Sequence, residues 1–170
     1  MIIFLLNGTY TNIVNQTISI PMTIIGSGNT TLDANKSGRV FYVSADNVRL
    51  ENLSFMNGKF SGEGAAIYWM GDYGSIFNCT FENNSANKGG AIFWSASNGN
   101  ISNSNFINNT ASKQGSAIYT TQNIPIKNSK FIDNKANSNN IIYTINGTKI
   151  SVTFIANNNY LNAIYSAVNL

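Results

Sequence analysis

Histidine is missing from this 170-residue chain, cysteine occurs once, and charged side chains make up only 10% of it. The first absence excludes His-based metal sites, Ser-His-Asp triads and imidazole general bases together. A lone thiol, Cys79, closes neither an intramolecular disulfide nor a CxxC site, and its place beside Phe81 in an apolar phrase predicts a small buried residue. Net charge is +3, but the lysines are scattered and no basic run tracks phosphates, so nucleic acid is not an expected partner. No apolar run reaches membrane-spanning length. The opening MIIFLLNGTY is too short in its apolar part, and lacks the charged n-region, for a signal peptide. The chain therefore reads either as intracellular or as a piece of a longer protein.

What is present is a hydrophobic fraction of 43% with 12% aromatics, ample for a packed interior, and 30 asparagines that supply neutral polarity in place of charge. The length favours one domain over 1–170. A repeat organises it. Phe55, Phe81, Phe106, Phe131 and Phe154 are spaced by 26, 25, 25 and 23 residues, and Ile67, Ile92, Ile118, Ile142 and Ile164 recur behind them, each followed by Tyr or Phe. A weaker copy in RVFYV carries the period upstream, so 1–46 reads as N-terminal rungs and 47–170 as regular repeats.

Within each copy apolar residues alternate over short runs broken by Asn and Gly, as in Val48, Leu50, Leu53 and Phe55, which is strand patterning without sustained helical spacing. Two or three short strands per 25 residues describe one rung of an all-β, right-handed, single-stranded parallel β-helix, each strand pairing with its counterpart one coil away. Six or seven such rungs make a rod about 30 Å long.

The asparagines then have structural work. Asn52, Asn78, Asn103 and Asn128 occupy one bend of four successive rungs, where αL geometry is tolerated and stacked amides hydrogen-bond between rungs. Asn84, Asn109, Asn134 and Asn157 form a second ladder after the phenylalanines. Ala86, Ala111 and Ala136 stack at a tight bend, with Phe60 and Tyr160 in that register in the flanking rungs.

The pairing of FxxN (FENN, FINN, FIDN, FIAN) with GGAI and its variants GAAI, GSAI and NNII resembles the repeats of chlamydial polymorphic outer-membrane proteins. It resembles still more the adhesin-like surface proteins of gut methanogenic archaea, whose PbH1-type β-helix repeats also match LNGTYTN, ISIPMTIIGSGNTTLDAN and NVRLENLSFMNG in the first third. Two departures stand out: FMNG replaces FxxN in the first regular repeat, and Ser151 stands where the ladder of Asn52, Asn78, Asn103 and Asn128 calls for Asn. The resemblance implies a secreted or anchored extracellular protein. With no terminal capping repeat and an ending in mid-rung, the chain reads as a fragment of a longer rod, open to end-to-end or flanking-domain contacts.

A pectate-lyase-like reading of the same fold needs acids gathered on one face and a cation to act with them. Of the seven carboxylates only Asp46 and Asp72 share a register on neighbouring rungs, and Arg49 is the cation within reach. Both acids lie in turns, SADN and MGDY, where Asp is a routine turn former, so no catalytic residue, metal or cofactor is expected and the three stand as fallback lyase candidates. For binding, the column Tyr68, Phe93, Tyr119, Tyr143 and Tyr165 is the candidate. If the isoleucines point inward, alternation sends these rings outward as a glycan-contacting stripe; the opposite alternation puts them in the core. Sequons at Asn7, Asn15, Asn29, Asn35, Asn52, Asn78, Asn83, Asn100, Asn108 and Asn146 are acceptors for glycans, with Asn52 and Asn78 expected to stay unmodified because their amides face inward. Lys88 and Lys113 coincide before the GGAI strand as a faint anion-binding pair. The reading is a non-catalytic surface protein that presents a side face to glycans or to host or microbial surfaces, with a purely structural stalk and a polysaccharide-active enzyme as alternatives.

Overall fold

A computed structural model describes residues 1–138, 140–145, 150–154 and 164–167, the side chains of 145, 150–154 and 164–167 excepted. Every strand pairing among them is parallel and joins residues one repeat apart, as in Phe55 with Phe81, Phe106 with Phe131, and Ile92 with Ile118. The described strands fall into a ten-stranded, a seven-stranded and a three-stranded sheet, and no helix occurs among them. This is the stacked coil of a parallel β-helix, and its seven-stranded sheet contains six coil-to-coil steps.

The largest sheet is bent lengthwise. Arg49–Met56 crosses the bend as one strand, whereas Ser75–Phe77 and Thr80–Glu82 take its two halves separately. The bend is made by asparagine: Asn52, Asn78, Asn103 and Asn128 have φ of 57°, 51°, 53° and 50°. A second left-handed column, Asn57, Asn83, Asn108 and Asp133, turns the chain into the three-stranded sheet. Asn and Asp enter this region more readily than other side chains bearing a Cβ. Gly64, Gly89 and Gly115 turn it again into the seven-stranded sheet, at φ of 61°, 59° and 63°.

Inside, Phe55, Phe81, Phe106 and Phe131 are fully buried, stacked face to face with centroids 5.0, 4.9 and 4.8 Å apart. Trp69 and Trp94, residues the repeat pattern does not single out, stack at 4.4 Å across the interior, and each indole N–H donates to a carbonyl two residues on, Gly71 O and Ala96 O at 2.9 Å. Burying each such ring stabilises by roughly 1.5–3 kcal/mol, with about 0.5–1.5 more from stacking.

Cys79 shares a column with Leu53, Ser104 and Ser129, all within 1% of full burial. Burial pushes its thiol from an ordinary value of 9.0 up to about 12. Thiol reagents at pH 8 should therefore label it only on unfolding, a thiol count before and after denaturant being the check. The unfolded thiol ionises above about pH 9 and the folded one only near 12, so its contribution to stability is present below pH 9 and lost as pH rises toward 12.

One of the two residues missing from the spacing of 23 before Phe154 is lost at the bend. Lys127 pairs with Ser151 and Ser129 with Val152, so Asn128 has no opposite residue and the last described rung lacks the bend position. Ser151 thus stands opposite Lys127 rather than in the asparagine column. Near the start the opposite occurs: Ile25 pairs with Glu51 and Thr30 with Leu53, so Gly26 to Asn29 face the single residue Asn52.

Candidate functional site

Gathered acids would mark a reactive face, and here Asp46 and Asp72 are dispersed into turns. Asp46 Oδ1 accepts the backbone N–H of Asp72 at 2.8 Å, and Asp72 Oδ1 accepts that of Ser97 at 2.7 Å. Each carboxylate thus braces the same turn one rung further on, where Asn47, Tyr73 and Asn98 carry positive φ. Arg49 Nε donates to Glu51 Oε2 at 2.9 Å, and its guanidinium lies 5.5 Å from the centre of the Phe77 ring. Asp46, Asp72 and Arg49 are therefore committed to turns and to a surface pair; the cation does not join the two acids. Among the described residues no three His, Cys, Asp or Glu side chains are grouped to hold a metal ion. Asp72→Ala should cost about 1–2 kcal/mol, the loss of a charge-assisted bond at a partly exposed turn, read as a lowered thermal midpoint by circular dichroism.

The aromatic column lies on the outside, as the inward isoleucines require. Ile67, Ile92 and Ile118 are fully buried and flank Tyr68, Phe93 and Tyr119 on the opposite side of the sheet. Outward placement does not bring exposure. Phe93 is 8% exposed and Tyr119 9%. Two causes act together. The rings stack on one another, Tyr42 on Tyr68 at 5.4 Å, Tyr68 on Phe93 at 4.9 Å, Phe93 on Tyr119 at 5.1 Å and Tyr119 on Tyr143 at 4.5 Å. The flank is also covered: the Arg39 guanidinium sits 4.1 Å from the Phe60 ring centre and 5.0 Å from that of Tyr68, held by the carbonyls of Gly64 and Glu63 at 2.9 and 2.7 Å. Lys88 Nζ is 5.2 Å from the Tyr119 ring centre. Burial, first of all, raises the Tyr68 and Tyr119 hydroxyls above their ordinary range and lowers Arg39 below its own. The column thus lies outside with its ring faces stacked on neighbours, Phe93 and Tyr119 buried and Tyr42, Tyr68 and Tyr143 half-buried. The side chain of Tyr165 lies outside the described residues.

Both asparagine ladders exist, but they face opposite ways. In the inner one Asn84, Asn109 and Asn134 are fully buried. Asn84 Nδ2 donates to Asn109 Oδ1 at 3.0 Å and Asn109 Nδ2 to Asn134 Oδ1 at 2.9 Å, while the same amides reach back to the carbonyls of Phe55 and Phe81 at 3.1 and 2.9 Å. Asn157 lies outside the described residues, as does Tyr160. The outer column is different: Asn78, Asn103 and Asn128 are exposed, and Asn78 Nδ2 donates to Asn52 Oδ1 at 2.8 Å. An inward amide therefore does not protect the sequon at Asn78. The doublet NN explains the pair of roles in the FxxN turn: Asn83 and Asn108 take positive φ and bond to each other outside at 2.6 Å, and the next residue goes in. That doublet is the sequence signal for this left-handed column, less conspicuous than the FxxN spacing.

Among the described residues, shallow grooves run along the outside. One, about 460 Å³, lies over the bend of the large sheet and is lined by the Gly26–Gly28 excursion with Asn52, Ser54, Asn78 and Thr80. Another, about 350 Å³, lies over the three-stranded sheet along Ser85, Thr110, Ser112, Lys135 and Asn137, with Ala111 and Ala136 between them. Lys88 pairs in register with Gln114, and its ammonium rests over Tyr119, so Lys88 and Lys113 do not form the anion-binding pair their spacing suggested.

Coil, ladders and stacked core define a parallel β-helix. Within it, residues 78–93 and 103–121 match the Chlamydia polymorphic membrane protein repeat. A solved PL6 alginate lyase, in complex with a trisaccharide, is similar over 97% of this chain with a TM-score of 0.74 at 18% identity. This chain spans 41% of that lyase's length. A likeness of that quality requires both coils to wind in the same sense; it concerns the fold. No curated protein matches the chain in sequence. No described helix is long and apolar enough to cross a membrane.

Proposed function

We propose that this chain is a non-catalytic, adhesin-like β-helix of a cell surface, whose lateral face contacts glycans. The observation that carries the reading is the outer surface itself, where grooves along the rod are lined by Ser, Thr and Asn rather than by carboxylates. Such groups donate to and accept from sugar hydroxyls without the desolvation cost of charge. The match to a membrane-protein repeat supports a surface location. Tyr68, Phe93, Tyr119 and Tyr143 serve in this reading as an external spine that offers ring edges at the margin of a contact. Exposed Ile2 and Phe4 on the strand Ile2–Leu5, with Leu6 just after it, are side chains available for end-to-end or flanking-domain contacts.

A polysaccharide-active enzyme is the second reading, favoured by the likeness to the alginate lyase. One experiment separates the two. Alginate and polygalacturonate are incubated with the protein and Ca²⁺, ultraviolet absorbance follows unsaturated product, and retention on immobilised polysaccharide is measured in parallel. Retention without product is the expected result. Product formation that is lost in Arg49→Ala would overturn the non-catalytic assignment, and neither retention nor product would leave the stalk role.

A further inference from the structure

A β-helix converts position in the chain into position along the rod, so the order of charges in the sequence becomes a field along its axis. Up to residue 83 the chain has six carboxylates against four cations, and two of those cations are engaged, Arg49 by Glu51 and Arg39 by two carbonyls. Beyond it, among the described residues, five lysines, Lys88, Lys113, Lys127, Lys130 and Lys135, stand against Asp133 alone. The later rungs are basic although the chain as a whole is only mildly so. A field of one sign concentrates ligands of the other and speeds their arrival.

The groove over the three-stranded sheet lies within these basic rungs. Its walls come from register: Ser85 pairs with Thr110 and Thr110 with Lys135, so two hydroxyls and an ammonium line up one coil apart. Its floor comes from size, because Ala111 pairs with Ala136 and a methyl leaves the space between the side-chain rows open. One coil before Ala86, Phe60 stands in this register, with its backbone N–H on Ser85 O and its ring against the Arg39 guanidinium. Ser112 Oγ donates to Asn87 Oδ1 at 2.8 Å, which leaves its lone pairs turned to solvent. No carboxylate lines the groove, and Lys135 is exposed.

We propose that this groove binds an acidic sugar unit of a polysaccharide, its carboxylate on the Lys135 ammonium and its hydroxyls on Ser85, Thr110, Ser112 and Asn137. The chemistry narrows the ligand. A single ammonium beside neutral donors and acceptors suits one carboxylate per sugar ring. Aromatic faces and arginines, which stack on and clamp nucleic acids, are not in the lining. A volume of about 350 Å³ is at the small end of ligand sites and suits one or two sugar rings. This assignment rests on the glycan-contact reading above and adds to it a place and a charge.

The test is isothermal titration calorimetry of the whole chain with a hexameric alginate oligosaccharide, with cellohexaose as its neutral counterpart, and with a short DNA duplex. The uronate should bind at least tenfold more tightly than cellohexaose, and less tightly as salt is added. Lys135→Gln should weaken uronate binding about tenfold, the equivalent of one charge-assisted bond, and Thr110→Val a few-fold. Lys59→Gln, in the same column but outside the groove, should leave it unchanged. All three positions are on the outer surface, and unchanged thermal melts establish that the variants fold. Uronate binding insensitive to Lys135→Gln would overturn the groove while sparing the glycan reading. Equal affinity for cellohexaose would overturn the acidic preference alone. Equal affinity for DNA would replace both with general polyanion attraction, and binding of no oligosaccharide would overturn the glycan reading along with the groove.

Discussion

Asn109→Ala is expected to lower the stability of the rod by about 3–4 kcal/mol, read as a shift in the urea midpoint and in thermal melts. Asn109 Oδ1 accepts two bonds from Asn84, backbone N at 3.1 Å and Nδ2 at 3.0 Å, and its Nδ2 donates to Phe81 O and Asn134 Oδ1, both at 2.9 Å. Truncation removes bonding partners from the rungs on both sides at once, at a fully buried position, and each unmade buried bond costs about 1–3 kcal/mol. The outer column supplies the internal comparison. Asn103→Ala removes an exposed amide and places alanine at φ 53°, which costs about 1–2 kcal/mol for the left-handed backbone and little for lost bonding. If the two variants lose the same stability, the buried amides are not what ties the rungs together.

The contrast between those ladders also marks how far the sequence could be read. The period, the parallel stacking and the inward phenylalanines were legible because each residue's environment is set by its copy one rung away, and Phe55, Phe81, Phe106 and Phe131 repeat it faithfully. Which side an asparagine faces was not legible. Asn78 and Asn84 both belong to tight turns, and only the backbone path decides that the first looks out and the second in. The aromatic column shows the same limit from another direction. Strands such as Ile67–Trp69 are apolar at all three positions, so the alternation has no polar member to mark the outer face, and Trp69 and Trp94 in the core leave Tyr68 and Phe93 outside. Cover over Tyr68 then comes from Arg39, which arrives from another part of the coil and carries no repeat signature. Asp46 and Asp72 share a register, and their work as turn braces follows from local backbone geometry that the sequence alone does not display.

Restoring the motif where it lapses should harm the protein. FMNG differs from the FxxN consensus in having Gly58 at the position of Asn84, Asn109 and Asn134, and a repeat-based design would write asparagine there. Gly58 N–H donates to Asn84 Oδ1 at 2.8 Å, so the backbone already completes the ladder at this end. A Cβ on Gly58 would lie 2.3 Å from the carbonyl oxygen of Ala65 and 2.8 Å from Asn84 Oδ1. The first obstacle is backbone and cannot rotate away; the second is the atom that terminates the ladder. Gly58→Asn should therefore destabilise by about 3 kcal/mol, the upper part of the usual range for overpacking, with Gly58→Ala nearly as severe because the clash begins at Cβ. Urea titration of the two variants beside Ser61→Asn, an exposed substitution on the same loop, provides the measurement. A Gly58→Asn protein as stable as the parent would mean that the turn opens without cost, and that the glycine is a lapse in the repeat rather than the place where its ladder stops.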